Sequence, residues 1–279
     1  MKILACFKIV PDLDLVAEED WKAEEELRVD TGYVRPIWNC FDESALEMML
    51  KLSDLSEGFD VVYELSALTV GRKKDESFFK TLYALGYSHG IRVEKEEGCL
   101  FSPELVAFAV AAYMKKYAMQ DVVLMGQQSS DGSNRKTPYL LAERMGWPCF
   151  SDVVKMEPVD EDSVKVTSQT GAGLLVQVIK TPCVLVVGNA QDSYLRVPTL
   201  KDKMRLGKQP VEQVSLEELG LGENELEKME GPVCPVRLEP VSSKRDTVWI
   251  DGDSPGEKAR KLYDTYLQGR LEYEIPSGH

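Results

Sequence analysis

Histidine is almost absent from this sequence: among 279 residues only His89 and His279 occur. One precedes a short strand pattern and the other is the last residue, which argues against an imidazole-based active site. Cysteine is scarce as well. The six are Cys6, Cys40, Cys99, Cys149, Cys183 and Cys234, and no two form a close C-x-x-C pair. They read as reduced, mostly buried thiols, with neither a disulfide frame nor a zinc site, and no metal is expected. No stretch approaches the roughly 20 apolar residues of a bilayer span, so membrane insertion is not expected. The apolar run Met1–Phe7 is soon followed by Lys8 and Asp12, too short for a signal peptide, and a cytoplasmic protein is expected. Positive charge is in deficit, with a formal net charge of −14. Such a surface repels phosphate backbones, which speaks against nucleic acid as a partner. Finally, no Gly-x-x-x-x-Gly-Lys-Ser/Thr motif is present, which argues against a Walker-type ATPase.

What is present is ordinary globular material, 43% hydrophobic and 29% charged, enough for one large domain with a tail or two small domains. Lys2 to Ile9 reads as a buried parallel strand. Residues 12–38 are acidic and irregular, an excursion that can close as a hairpin. A helix is predicted from Phe41, where Ala45, Leu46, Met49, Leu50 and Leu52 recur near a 3.6 period. Strand then alternates with helix: Val61–Val70, 74–85, Gly90–Val93, Pro103–Tyr117 and 121–125. Ser102 and Pro103 form a helix-start signal. The alternation predicts an α/β fold, a Rossmann-like doubly wound and mostly parallel sheet, with ligands beyond the carboxyl ends of its strands. After Pro148 three strand patterns, 153–159, 163–169 and 174–180, predict a small antiparallel addition, with Thr170–Gly173 as a hairpin turn. Cys183–Val187 returns to a buried strand. Residues 190–232 hold few apolar side chains, and Glu257–Leu271 reads as a C-terminal helix.

Two segments carry chemistry. Gly126-Gln127-Gln128-Ser129-Ser130-Asp131-Gly132-Ser133-Asn134-Arg135-Lys136-Thr137-Pro138 follows a strand and opens a helix. Small residues let a ligand approach the backbone, and N–H groups at a helix start favour an anion such as phosphate. Ser133, Asn134 and Thr137 can donate hydrogen bonds, and Arg135 and Lys136 add positive charge. A plain capped turn would use the same residue types. The second segment is Trp38-Asn39-Cys40-Phe41-Asp42-Glu43. Asn39 can read the edge of an adenine or cap the helix that follows.

Together these segments resemble the beta subunit of electron-transfer flavoproteins. The resemblance runs from Lys2–Asp12 through Asn39–Ala45, Thr69-Val70-Gly71 and Thr81–Gly86. It continues in Gly126–Pro148, which ends in Leu141-Ala142-Glu143-Arg144-Met145-Gly146-Trp147-Pro148. Its order and spacing hold to about residue 250. It implies an adenine-nucleotide site walled by Cys6, Ile9, Asn39, Cys40, Phe41, Asp42, Val70, Gly126 and the run Asp131, Gly132, Ser133, Asn134, Arg135, Lys136 and Thr137. It implies AMP or FAD in this chain and a redox-active FAD in a partner alpha subunit, with no catalytic side chain. A second FAD would make the pair a bifurcating, NADH-using one. Three departures stand out: Cys40 replaces the usual proline, the loop is one residue shorter, and Arg135 and Lys136 are gained. The added charge suits extra phosphate, or it forms a solvated helix face.

The resemblance also makes Tyr194–Lys201 a docking loop for a dehydrogenase or other oxidoreductase. Tyr194, Leu195 and Val197 are its apolar side chains, with Leu195 or Val197 as the anchor. Residues 1–232 would form the nucleotide-binding domain, and 233–279 an arm and helix packed on the alpha subunit. A different class of reading is a stand-alone adenine-nucleotide-binding module or ATP-using enzyme, which would turn over nucleotide without a partner.

Overall fold

Strand β1 (Lys2–Cys6) shows how the molecule is built. Ile3 and Ala5 enter one buried apolar cluster, while Leu4 and Cys6 enter a second on the opposite face. A strand apolar on both faces must be covered on both faces. A computed structural model describes residues 1–22, 27–96, 101–191, 193–230, 236–239 and 245–270. The chain divides into two compact units, Met1–Leu238 and Glu239–His279.

In the first unit the elements follow in chain order. After β1 come β2 (Ile9–Pro11), β3 (Pro36–Trp38), helix α1 (Cys40–Asp54) and β4 (Glu64–Gly71). A 3-10 segment (Lys73–Phe78) leads into α2 (Phe79–Leu85), then β5 (His89–Glu94), α3 (Pro103–Lys116), β6 (Val122–Gly126) and α4 (Thr137–Met145). The remainder is β7 (Cys149–Pro158), β8 (Ser163–Thr170), β9 (Gly173–Lys180), β10 (Cys183–Val187), α5 (Leu200–Leu206), β11 (Glu212–Val214) and α6 (Glu223–Glu230).

Nine strands form one sheet in the order β11-β5-β4-β1-β6-β10-β7-β8-β9. Pairing is parallel from β11 to β7 and antiparallel from β7 to β9. Helices α1 and α2 feed one face through Ala45, Leu46, Met49, Phe79 and Leu82. Helices α3 and α4 feed the other through Leu105, Val110, Leu141 and Ala142. This is the doubly wound, mostly parallel α/β fold read from the alternation. The chain winds outward from β1 to β4 and β5, then returns to β6 on the other side of β1. The connections that leave β1 and β6 therefore run to opposite faces of the sheet, α1 to one and α4 to the other, and a crevice at the carboxyl ends of these two strands is the expected ligand position.

The structure corrects three expectations. The run Lys2–Ile9 is not one strand. The sheet strand stops at Cys6, because the N–H of Lys8 is taken by the Asp42 carboxylate at 2.9 Å instead of by a neighbouring strand. Ile9–Pro11 then pairs antiparallel with Pro36–Trp38, so the excursion is the loop of a two-stranded ribbon. Residues 190–232 are more ordered than their composition suggests: β11 extends the sheet beside β5, and Leu216, Leu219 and Leu221 are buried. The thiols are less uniformly buried than expected. Cys6 and Cys183 are buried and free, Cys149 is half-buried and Cys40 is exposed; Cys99, Cys234 and His279 lie outside the described residues.

In the second unit Ser254 caps helix α7 (Pro255–Leu262), its hydroxyl accepting from the Glu257 N–H at 3.2 Å. The helix continues as one π turn, Tyr263–Leu267. Among the described residues no helix is long and apolar enough to cross a membrane.

Close packing of α2 on β5 demands glycine at position 90. A β-carbon there would lie 2.5 Å from Phe79 Cδ1 and 2.6 Å from the Tyr83 hydroxyl. Gly90→Ala should therefore cost about 1–3 kcal/mol by overpacking. A lower urea midpoint at an unchanged m-value would show it; an unchanged midpoint would contradict the close contact.

Candidate functional site

The site is built on one buried carboxylate. Asp42 is in the first turn of α1, and its Oδ2 accepts from the Lys8 N–H at 2.9 Å and from Asn39 Nδ2 at 3.0 Å. Its Oδ1 accepts from the Gly126 N–H at 2.9 Å. Three segments that meet nowhere in the sequence, the end of β1, the start of α1 and the end of β6, are thus tied at one point. Gly126 is obligatory here. A β-carbon would fall 2.3 Å from Asp42 Oδ1 and 2.8 Å from Phe41 Cβ.

Asn39 precedes α1 and is buried. Its side chain makes no cap bond to the helix, so the capping reading of this residue does not hold. Instead Nδ2 donates to Asp42 and, at 2.7 Å, to the carbonyl of Gln128. Both neighbours are acceptors, which fixes the NH2 on that side and leaves Oδ1 on the other. That Oδ1 is buried and accepts no hydrogen bond. A buried acceptor left empty costs about 1–3 kcal/mol, so it is an uncommon feature in a native core.

The loop after β6 runs along the same rim. Lys8 Nζ reaches Asp131 Oδ1 at 2.7 Å. The Ser133 N–H and hydroxyl both donate to the Ser129 carbonyl, at 3.1 and 2.9 Å, and Arg135 Nε donates to Gln128 Oε1. Ser133 and Arg135 adopt φ values of 48° and 55°. Two left-handed non-glycine residues so close together turn successive main-chain groups sharply, a pattern that gathers amides at ligand sites. Helix α4 begins at Thr137 without a side-chain cap. Its first-turn amides and the positive end of its dipole therefore face the loop.

Of the residues singled out from sequence, Asn39, Asp42, Gly126 and Asp131 are joined through this network. Cys6 and Val70 close the adjacent strands β1 and β4, Cys6 lying beside Leu68 and Met125 in register. Burial raises the Cys6 thiol far above its usual range, so it stays protonated. Cys40 and Phe41 open α1 beside them. Gly132, Ser133, Asn134, Arg135, Lys136 and Thr137 form the loop and helix start. Ile9 turns the other way, into the core with Phe7, Ala45 and Met49.

In the segment before α5, Leu195 and its neighbours part company. Leu195 packs on the core, and its N–H donates to Glu43 at 3.1 Å. Arg196 grips α1: its N–H and guanidinium bond buried Glu47 at 2.7–2.9 Å, and Nη1 reaches Asp54 at 2.6 Å. Tyr194 and Val197 point outward. Sequence reading passed over Lys8, Gln128, Glu47 and Arg196. Lys8 stands inside the matched Lys2–Asp12 run, and Glu47, set inside the otherwise apolar run Ala45–Leu50 of α1 and one turn from Glu43, is a visible signal.

These features define a Rossmann-like α/β protein with a polar, amide-rich rim at its switch point. A family model, the electron transfer flavoprotein domain, matches residues 29–219. The chain belongs to that family, and its relatives include beta subunits. It is 28% identical over 274 residues to "Putative electron transfer flavoprotein subunit YgcR" of Escherichia coli (strain K12), covering 98% of this chain and 100% of that protein. It is 27% identical over 259 residues to the electron transfer flavoprotein subunit beta of Bacillus subtilis (strain 168), covering 90% and 95%. The corresponding subunit of Methylophilus methylotrophus is 28% identical over 269 residues, covering 94% and 96%.

The buried knot makes a pH prediction. Burial pushes the Asp42 carboxyl up to about 6, against the pull of the hydrogen bonds from Asn39, Lys8 and Gly126. In the unfolded chain it titrates near 3.9, so the native state holds the proton more tightly. The resulting stability is complete below about pH 4 and is lost as pH rises through about 6. Asp42→Asn removes that slope and sets an amide against N–H donors, at a cost of about 1–3 kcal/mol. Urea midpoints measured across this range should fall with pH more steeply in the parent than in the variant. Parallel profiles would contradict the assignment.

Proposed function

We propose that this chain is the adenylate-holding beta subunit of a cytoplasmic, heterodimeric electron-transfer flavoprotein. With an FAD-carrying alpha subunit it would pass electrons between dehydrogenases and their acceptors. The observation that carries this reading is the buried Asn39 Oδ1, which accepts no hydrogen bond, on a side chain tied to the loop that leads into the uncapped start of α4. The exocyclic amine of adenine is a donor of the kind Asn39 Oδ1 lacks. The main-chain N–H groups of residues 135–137 and of Tyr139 in the first turn of α4 would hold a phosphate, with Arg135 and Lys136 adding charge. Cys6, Val70 and Phe41 would supply apolar walls. Both AMP and FAD carry this adenylate, and the residues fit that shared part. Flavin, when bound, supplies the redox chemistry. This chain's own residues bind, orient and exclude water, and none acts as an acid, base or nucleophile.

The need for a partner is supported by β9. It is an edge strand, and on one face Leu174, Val176 and Val178 are 65%, 55% and 63% exposed. An apolar edge strand left open invites aggregation, so it calls for a cover. We assign this edge, together with the C-terminal unit, to the alpha subunit.

The test is to co-express the chain with its alpha subunit, denature the purified pair and identify what is released. An adenine nucleotide retained with this chain, and flavin in the pair, are expected. One flavin per pair assigns AMP to this chain, and two assign FAD. Asn39→Ala should weaken retention about 10- to 100-fold, the value of one buried hydrogen bond. A colourless chain that stays monomeric and carries no nucleotide would overturn the reading, as would phosphate release by the isolated chain.

A further inference from the structure

A cleft with cationic walls opens beside α2. The 3-10 segment Lys73–Phe78 runs on directly into α2. Residues three apart in a 3-10 helix eclipse one another, so Lys74 and Ser77 share a side, and Lys80 continues that side into α2. The facing wall is the stretch 207–213, which leaves α5 and enters β11. Between the walls lies a cavity of about 530 Å³, with Lys73, Lys74, Lys80 and Lys208 around it. Its base is fixed. The hydroxyl of buried Tyr83 donates to the Pro210 carbonyl at 2.8 Å, and a β-carbon on Gly207 would lie 3.1 Å from the Lys80 carbonyl oxygen. The two walls therefore meet below and are held apart above, a preorganised cleft.

None of the four ammonium groups has an ion pair or hydrogen bond among the described residues. Glu76, the one carboxylate among the described residues that line the cavity, is taken by buried Arg92 at 2.7 Å. Glu94 bonds the same guanidinium at 2.9 Å, and Glu96 stands 3.8 Å from it. Arg92 thus occupies the acids beside the cleft, and the lysines are left to face its opening. On a chain of net charge −14 this is a local reversal of sign, and a concave shape focuses it. Clustered ammonium groups repel one another, and a multivalent anion between them relieves several repulsions at once. The volume falls within the range of about 300–1,000 Å³ usual for small-molecule sites. Lysines on both walls suit an anion whose charge is spread along its length. Ammonium binds phosphate oxygens as a point charge, with no demand for a bidentate geometry. Pro210 and Val211 add an apolar surface against which an organic part could rest.

We propose that this cleft binds a small polyphosphate anion, one with two or more linked phosphate groups. Lys73, Lys74 and Lys80 hold it from the α2 wall and Lys208 from the facing one, so the anion bridges the two. The cleft shares no lining residue with the rim around Asn39. The proposal goes beyond the functional reading above, since it holds whichever adenylate that rim carries and involves no electron-exchanging partner.

The experiment uses the chain assembled with its alpha subunit, with the co-purified nucleotide left in place, and reads binding by calorimetry. Inorganic pyrophosphate should bind once per pair, about tenfold or more tighter than inorganic phosphate, and its affinity should fall as salt rises. Lys74→Glu with Lys208→Glu, one change on each wall, should weaken pyrophosphate at least tenfold, whereas Lys74→Arg with Lys208→Arg keeps the charge and should retain it. Melting temperature without ligand and flavin content should match the parent in both variants, since the two side chains are exposed and bond nothing among the described residues. Pyrophosphate should raise the melting temperature of the parent and leave that of the glutamate variant unmoved. Adenosine triphosphate distinguishes the sources of the phosphate chain. If the glutamate variant loses more affinity for it than for pyrophosphate, the ligand is a nucleotide whose organic part rests on Pro210 and Val211; an equal or smaller loss assigns an inorganic polyphosphate. The proposal is overturned if pyrophosphate binds the parent no tighter than phosphate does, or if the glutamate variant binds it as the parent does. It is overturned equally if pyrophosphate fails and a polyglutamate peptide binds, which would make the lysines a patch for an acidic macromolecule.

Discussion

The Asp42 carboxylate holds the functional end of this molecule together. A parallel sheet positions its strands through ladder hydrogen bonds, but those bonds stop at the carboxyl ends, where ligands bind. Beyond Cys6 and Met125 something else must keep the β1 and β6 loops in register. Asp42 does so by accepting from Lys8, Asn39 and Gly126 at once. Burying the carboxylate is unfavourable in itself, and that burial is what pushes its pKa up. Three donors offset that penalty, and the return is a fixed geometry at the rim. Asn39 inherits its orientation from this knot. With its amide nitrogen claimed by Asp42 and Gln128, its buried oxygen is left without a hydrogen bond.

A similar device recurs one turn along α1. Glu43 and Glu47 hold the segment before α5, as Asp42 holds the loop after β6. One helix therefore carries, in sequence, the carboxylate that ties the rim and the two that hold the segment before α5. Under the proposed function this would join the two through a rigid element, with no moving part required. The stability of the rim and the presentation of Val197 would then depend on the same packing of Ala45, Leu46 and Met49 against the sheet.

Much of the architecture was legible because the forces behind it are local and periodic. The two-faced apolar strands and the 3.6-residue apolar pattern of α1 predicted a covered parallel sheet, with ligands beyond the carboxyl ends of its strands. Element ends were less legible where a tertiary bond decided them. Nothing local says that Lys8 leaves the ladder, because its partner is Asp42, 34 residues away. The strand Glu212–Val214 was invisible for a similar reason: a short polar run becomes a strand only against the edge that β5 offers. At the rim, residue types pointed to Asn39 and the loop after β6. They did not show that Asn39 leaves its helix uncapped, or that Leu195 turns inward while Val197 turns out. Those outcomes depend on which distant acceptor is nearer, and a sequence pattern carries no such distance.

The central claim is that the empty oxygen of Asn39 is an adenine acceptor at the β1–β6 crevice. A crystal structure of the assembled pair, at a resolution that resolves the purine ring, tests it most directly. The account predicts adenine with its amino group within hydrogen-bond distance of Asn39 Oδ1, and a phosphate against the amides at the start of α4. Density showing that oxygen bonded to a protein donor, with the nucleotide bound elsewhere in the chain, would contradict it.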